Sequence, residues 1–205
     1  MEFNKVFTDF IGTLKPDNIA SDRKQILQHL TQAIQEGLQK KEGVALQFIC
    51  THNSRRSQFA QVWAQHLLYW HGYFKVGCYS GGTAVTAIYP EVINQLEQQG
   101  FTASRLSEGS NSVYAVKASK QLAPSFVFSK PITHLVNPSD DFIAVMTCDQ
   151  AYEACPVVLG AKKRIGLTYT DPKNHDGQEN EEQAYAQTST QIATEMLYLC
   201  SQLNP

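Results

Sequence analysis

An apolar run that leads through a polar loop straight into an amphipathic helix sets the strongest constraint on how this chain can fold. The run, Val44 to Ile49, follows Gly43 and contains β-branched and aromatic residues, which is typical of a buried strand. Helical periodicity then begins at about Ser57 and continues to Tyr69, with apolar residues along one side. This order, a buried strand followed by a helix, favours a parallel sheet covered by helices.

Later segments repeat this alternation of strands and helices. Further strands are predicted at Val76–Tyr79, Phe142–Thr147 and Arg164–Tyr169, and further helices at Pro90–Gln99 and about Glu179–Leu203. We therefore expect an α/β fold in which a parallel sheet carries helices on both faces.

Two segments fall outside this pattern. Residues 1 to 42 are predicted to be a helical extension packed on the core, because apolar residues recur at spacings of three and four. Val113–Lys117 and Phe126–Phe128 alternate instead, which predicts a β-hairpin insertion at about 108–130 within a domain of residues 43–205. Either segment could cover a site, mediate a dimer or simply pack.

Composition excludes several classes of partner. The net charge of −2 and the pI of about 6.3 provide no positive field for nucleic acid or an anionic membrane. Charged residues interrupt the N-terminal apolar residues, so no secretory signal is predicted, and no run is long enough to span a membrane. Five cysteines, an odd number, do not form a disulfide framework, and we expect a cytoplasmic protein in a reducing compartment.

The loop from Cys50 to Ser57 has the composition of an oxyanion site. A loop at a helix N-terminus points backbone N–H groups at one spot, and the helix dipole there stabilises both an anion and a nucleophilic thiolate. Arg56, six positions after Cys50, can fold back and contact two oxygens with its planar guanidinium. The remaining candidate oxyanion-binding residues are Thr51, His52, Asn53, Ser54, Arg55 and Ser57. The alternative is a buried cysteine at a strand end, with both arginines on a solvated turn.

The run FICTHNSRRSQFAQVWA, Phe48 to Ala64, resembles the phosphate-binding loop of the low-molecular-weight tyrosine phosphatases. It resembles the related thioredoxin-coupled arsenate reductases even more closely. This chain has His52 where the family usually has glycine, and Arg55 where the family has a small or apolar residue. The resemblance implies a catalytic role for Cys50 and Arg56, and neither departure removes a required group.

Asp171-Pro172 resembles the aspartate-proline pair that supplies the general acid in this family. The resemblance implies that Asp171 protonates a leaving oxygen and then activates water. The alternative is an ordinary turn carboxylate, since Asp-Pro is a common turn pair. The polar run Lys173 to Gly177 that follows favours a small oxyanion over a phosphotyrosine side chain.

A second pair of cysteines, Cys148 and Cys155, lies in the run TCDQAYEACP, which resembles the redox segment of the arsenate reductases. That resemblance implies a relay in which Cys50 attacks arsenate, Cys148 attacks Cys50, and Cys155 resolves the disulfide for a thioredoxin-like reductant. One core cysteine and one surface cysteine are the alternative. A zinc site would need two further ligands that the pattern does not supply, so we expect no metal and no cofactor.

Two functions therefore remain open on the sequence. One is arsenate reduction by the relay of three thiols, and the other is hydrolysis of phosphomonoesters through a Cys50 thiophosphate, for which Cys50, Arg56 and Asp171 suffice. The corresponding ligands are phosphate, arsenate or a phosphomonoester. A non-catalytic anion-binding module is a third alternative.

Overall fold

The computed structural model describes residues 2–40, 43–155 and 157–204. Their strands are β1 Val44–Cys50, β2 Val76–Gly82, β3 Thr102–Arg105, β4 Tyr114–Lys117, β5 Ser125–Val127, β6 Phe142–Met146 and β7 Ala161–Gly166. The helices are α1 Lys5–Thr13, α2 Ser21–Gln39, α3 Arg56–Trp70, α4 Pro90–Gln98, α5 Asp149–Ala154 and α6 Glu181–Ser201. Short 3₁₀ helices lie at Pro16–Asn18 and Pro172–His175.

The central sheet has four parallel strands in the order β2-β1-β6-β7. Its larger core lies on one face, where α2, α3 and α6 pack over residues such as Leu46 and Phe48. The core on the other face of the sheet is smaller. Ile49 packs there with Met146 and with Ala151 of α5. The predicted α/β fold with helices on both faces is confirmed.

The strand order makes the carboxyl ends of β1 and β6 the topological switch point of the sheet. Chain connections leave these two neighbouring strands in opposite directions, and ligands of open α/β sheets bind in the crevice that this reversal opens at the carboxyl ends. Cys50 is the last residue of β1, and Cys148 follows β6 by two residues. The fold thus brings both cysteines to one edge of the sheet.

The predicted β-hairpin insertion is confirmed as the antiparallel pair β4–β5, but the inserted sheet has a third strand. Strand β3, Thr102–Arg105, pairs along β4 in full register. Its sequence has no apolar alternation, because this edge strand is held by main-chain hydrogen bonds and leaves three of its four residues exposed.

The N-terminal helices bury their apolar faces in the larger core. Phe7 of α1 is fully buried and stacks on Trp63 of α3, with ring centres 5.7 Å apart. Leu27 and Leu30 of α2 are also fully buried. The division of the chain at residues 42 and 43 stays a prediction, since Lys41 and Glu42 lie outside the described residues. Within the described part of the chain, no helix is long and apolar enough to cross a membrane.

Candidate oxyanion site

The Cys50 loop wraps around the sulfur of Cys50. The backbone N–H of Asn53 donates to Cys50 Sγ at 3.1 Å, and Ser57 Oγ lies 3.0 Å from the same sulfur. Asn53 adopts the left-handed region, with φ +47°, which asparagine tolerates better than most residues. This conformation turns the Asn53 amide toward the sulfur.

The side chain of Asn53 holds the loop from behind. Its Nδ2 donates to Ser57 Oγ at 2.8 Å, and its Oδ1 accepts from the backbone N–H of Lys130 at 3.0 Å. Because the Asn53 amide donates to the Ser57 hydroxyl oxygen, the proton of that hydroxyl is free to point at the Cys50 sulfur. Gln58 adds a bond from Nε2 to the Asn53 carbonyl at 2.8 Å. Asn53 and Ser57 thus support the loop from its buried side.

A cavity of about 590 Å³ opens in front of the loop. The predicted residues that line it are Cys50, Thr51, His52, Ser54, Arg55, Arg56, Cys148 and Asp171. The other lining residues are Asp149, Gln150, Tyr169, Thr170, Lys173 and Asn174. The wall is therefore mainly polar, and Cys155 does not contribute to it.

Arg56 reaches across the cavity from the start of α3. Its Nη1 donates to the carbonyl oxygen of Tyr169 at 3.0 Å, and its Nη2 forms an ion pair with Asp171. The described residues thus accept two of the five N–H groups of this guanidinium. Arg56 and Asp171, the predicted anion clamp and general acid, are in direct contact.

Arg55, its neighbour in the sequence, is engaged elsewhere. Its guanidinium pairs with Asp176, donates to the hydroxyl of Tyr185, and lies 4.3 Å from the centre of the Tyr89 ring. Burial raises the pKa of Tyr185, and its hydroxyl donates to Asp176 at 2.6 Å. These partners hold the Arg55 charge at the border of the cavity. Its role as an oxyanion ligand stays a prediction.

Thr51 and His52 form the outer part of the loop. The carbonyl oxygen of His52 accepts from Ser129 Oγ at 2.8 Å, and its ring Nδ1 is buried without a hydrogen-bond partner among the described residues. Thr51 Oγ1 lies 3.5 Å from Cys148 Sγ. Thr51, the residue after Cys50, is therefore in contact with the second cysteine.

Cys148 caps the short helix α5. The backbone N–H of Ala151 donates to its sulfur at 3.3 Å, and the side chain is buried in the same cluster as Cys50. Cys155 lies at the opposite end of α5 and is half-buried. Pro156, the last residue of the matched redox segment, lies outside the described residues.

Sequence reasoning missed Lys130, which is only 2% exposed and lies behind the loop. Burial lowers the pKa of Lys130 to about 7, and its Nζ donates to Ser80 Oγ at 3.3 Å. Nothing in the polar insertion around Lys130 signals a buried cation, because its contacts come from distant parts of the chain. The described residues contain no cluster of three or more histidine, cysteine or acidic side chains that could hold a metal.

Comparison with known proteins finds a similar sequence. The arsenate reductase of Bacillus subtilis (strain 168) is 27% identical over 146 residues, which are 71% of this chain and 86% of that protein. No family model matches the chain.

Solved structures share the fold. A low-molecular-weight phosphotyrosine phosphatase from Vibrio cholerae O395 superposes with a TM-score of 0.55 at 12% identity, covering 78% of this chain and 95% of that one. An arsenate reductase in its oxidized state gives 0.51 at 20% identity, covering 78% and 98%. Identities this low support the fold alone.

The fold and the cysteine loop together define a protein with an oxyanion site of the phosphatase type. Its fold is that of the low-molecular-weight protein tyrosine phosphatases and of the arsenate reductases related to them in structure. The proteins that it resembles thus include both phosphatases and arsenate reductases.

Proposed function

We propose that this protein is an arsenate reductase that uses Cys50, Cys148 and Cys155 in sequence. The observation that carries the proposal is the position of Cys148, which lines the same cavity as Cys50 and lies 3.5 Å from Thr51 Oγ1. A phosphatase of this type needs only the first cysteine, whereas thiol exchange needs a second thiol at the same site. The similarity to the Bacillus subtilis arsenate reductase supports the same reading.

The chemistry runs in three steps. The Cys50 thiolate attacks arsenate and displaces water, forming a sulfur–arsenic bond, while Arg56 neutralises the oxyanion. The Cys148 thiolate then attacks the Cys50 sulfur, so that two electrons pass to arsenic, arsenite leaves and a Cys50–Cys148 disulfide forms. Cys155 attacks Cys148 and releases the Cys50 thiolate, and a thioredoxin-like dithiol reduces the remaining Cys148–Cys155 disulfide.

Local structure supports each cysteine in its proposed role. The Asn53 amide and Ser57 lie within 3.1 Å of the Cys50 sulfur. The Cys148 sulfur accepts a hydrogen bond from the Ala151 N–H. Cys155 follows only one short helix later and is half-buried, and the proposed exchange requires α5 to rearrange so that the two sulfurs meet.

A second candidate is a phosphomonoesterase, and the position of Asp171 favours it. This carboxylate lines the cavity and caps the 3₁₀ helix at Pro172–His175, where its Oδ1 accepts from the backbone N–H of Lys173 at 3.1 Å. It could protonate a leaving oxygen there. We place this second because the lining is polar, so an inorganic oxyanion suits it better than an aromatic phosphoester.

One set of variants separates the two functions. We expect Cys148→Ser and Cys155→Ser each to abolish arsenate turnover with thioredoxin, while p-nitrophenyl phosphate hydrolysis, if present, survives in both. After a single exposure to arsenate, peptide mapping of Cys155→Ser should show a Cys50–Cys148 disulfide. Cys78→Ala, at a buried cysteine away from the cavity, is the matched control. A wild-type protein without any internal disulfide after arsenate would refute the relay and leave the phosphatase.

A further inference from the structure

Arg23 belongs to α2 of the N-terminal extension, yet its side chain reaches a segment that borders the oxyanion site. Its Nε and Nη2 donate to the two carboxylate oxygens of Glu195, at 3.0 and 2.6 Å. Its Nη1 donates to the carbonyl oxygen of Thr168 at 3.0 Å, and its Cζ lies 5.0 Å from the centre of the Tyr169 ring. Glu195 is 3% exposed at its side chain, so this guanidinium is held in one orientation.

The Thr168–Tyr169 peptide is fixed on both sides. Its carbonyl oxygen accepts from Arg23, and its N–H donates to the carbonyl oxygen of Thr147 at 3.1 Å. The next carbonyl along the chain, that of Tyr169, accepts from Arg56 Nη1 at 3.0 Å. One residue of backbone therefore separates the arginine of the extension from the arginine of the oxyanion site.

This stretch depends on such contacts because it lies between β7 and the 3₁₀ helix at Pro172–His175, outside regular structure. Its backbone polar groups need partners from elsewhere in the molecule. A small displacement of the Tyr169 carbonyl would turn the Arg56 guanidinium away from the orientation that binds an oxyanion, and Asp171, two residues later, would move with it.

We propose that Arg23 is a positioning residue that orients Arg56 through the Thr168–Tyr169 backbone, which makes the N-terminal extension part of the oxyanion site. The proposal rests on the proposed function only in requiring that Arg56 bind an oxyanion. It holds for a reductase and for a phosphatase alike.

Binding of inorganic phosphate to the full chain, measured by its protection of Cys50 from iodoacetamide, tests this inference. The main variant replaces the pair, Arg23→Met with Glu195→Met, because removing Arg23 alone would leave a buried unpaired carboxylate and could unfold the chain. We expect phosphate affinity to fall about tenfold in a protein that melts cooperatively. Arg23→Lys, which keeps the charge but not the fork, should give a smaller loss.

Glu36→Gln is the matched control, because it breaks an ion pair that joins α2 to the sheet instead of to α6. Glu36 pairs with Lys163 of β7 at 2.6 Å, whereas the Thr168–Tyr169 peptide is hydrogen-bonded to Arg23 and Thr147. We expect phosphate affinity within about twofold of wild type, since exposed ion pairs contribute little. A tenfold loss in this control would mean that loosening the extension in any way weakens the site, which would overturn a specific role for Arg23.

Repeating the paired replacement in an Arg56→Lys background separates positioning from general destabilisation. If Arg23 acts through Arg56, the replacement should cause little further loss of phosphate affinity there. No loss of affinity in the protein that retains Arg56, or the same loss with and without Arg56→Lys, would refute the inference. Arsenate turnover is not used, so failure of the proposed reduction would leave this result intact.

Discussion

The Cys50 loop and the Cys148–Cys155 segment differ in how firmly the structure holds them. In the loop, Asn53 and Gln58 are fully buried and bond the loop from within, and the carbonyl of His52 is tied to Ser129. In the second segment, α5 has six residues, and the apolar side chains of Val157 and Leu159 just beyond Cys155 are 74% and 86% exposed.

This difference corresponds to two kinds of chemistry. An oxyanion site works best when its donors are already in place, because no energy is then spent on arranging them. A thiol relay needs a cysteine that can approach two different sulfurs in turn, and segments with few buried contacts open at low free-energy cost. The rigid loop therefore suits binding and the lightly held segment suits transfer.

Removing one polar side chain from each region should give very unequal results. Asn53→Ala deletes bonds to Ser57 and to the Lys130 N–H inside the protein, and we expect phosphate affinity to fall about a hundredfold, from roughly 2 to 3 kcal/mol of lost interactions. Gln150→Ala removes only a 3.4 Å contact with Thr51 and should change affinity less than about threefold. Similar losses in a phosphate titration of both variants would contradict the contrast.

Hydrogen exchange measures the same contrast without a mutation. We expect backbone amides of α5, such as Tyr152 and Cys155, to exchange about tenfold faster or more than those of the buried helix α3, because short helices with few contacts open locally. Mass spectrometry of peptic fragments provides the readout. Equal protection of the two helices would show that the Cys148–Cys155 segment is as rigid as α3.

The last effect is gradual in pH and concerns Lys130 behind the loop. Since burial lowers the pKa of Lys130 to about 7, the unfolded chain binds a proton that the folded chain lacks between about pH 7 and pH 10. The free energy of unfolding should therefore gain up to about 1.4 kcal/mol per pH unit from this group as pH rises through that window. Lys130→Met lacks this contribution to the pH dependence. The difference between the free energies of unfolding of Lys130→Met and wild type should therefore change in favour of wild type as pH rises.

Urea unfolding at successive pH values checks this prediction. Lys163→Met, at a lysine that is 43% exposed, is the control and should track wild type closely. Parallel curves for Lys130→Met and wild type would mean that Lys130 is not buried in the way the structure shows.

Local patterns explain most of what could be predicted here. The strand before Cys50 and the helix after it follow from apolar runs of neighbouring residues, and the loop carries the resemblance to proteins that share the fold. The strand at Thr102–Arg105 carries no such pattern, because an edge strand is held through its main chain and leaves its side chains in water. The two adjacent arginines also show what local patterns leave out. Arg56 pairs with Asp171 and Arg55 with Asp176, and both partners are distant in the sequence.

By itself the sequence determined the strand, loop and helix around Cys50 and predicted roles for Cys50 and for the cysteine pair, since each depends on residue types at short spacings. Tertiary structure alone decided which of them meet. The pairing of β1 with β6 brings Cys148 to the cavity of Cys50, and the packing of α2 carries Arg23 to the backbone that holds Arg56. These contacts join residues 97 to 145 positions apart in the sequence. They depend on which strands and helices pack together, which no local pattern encodes.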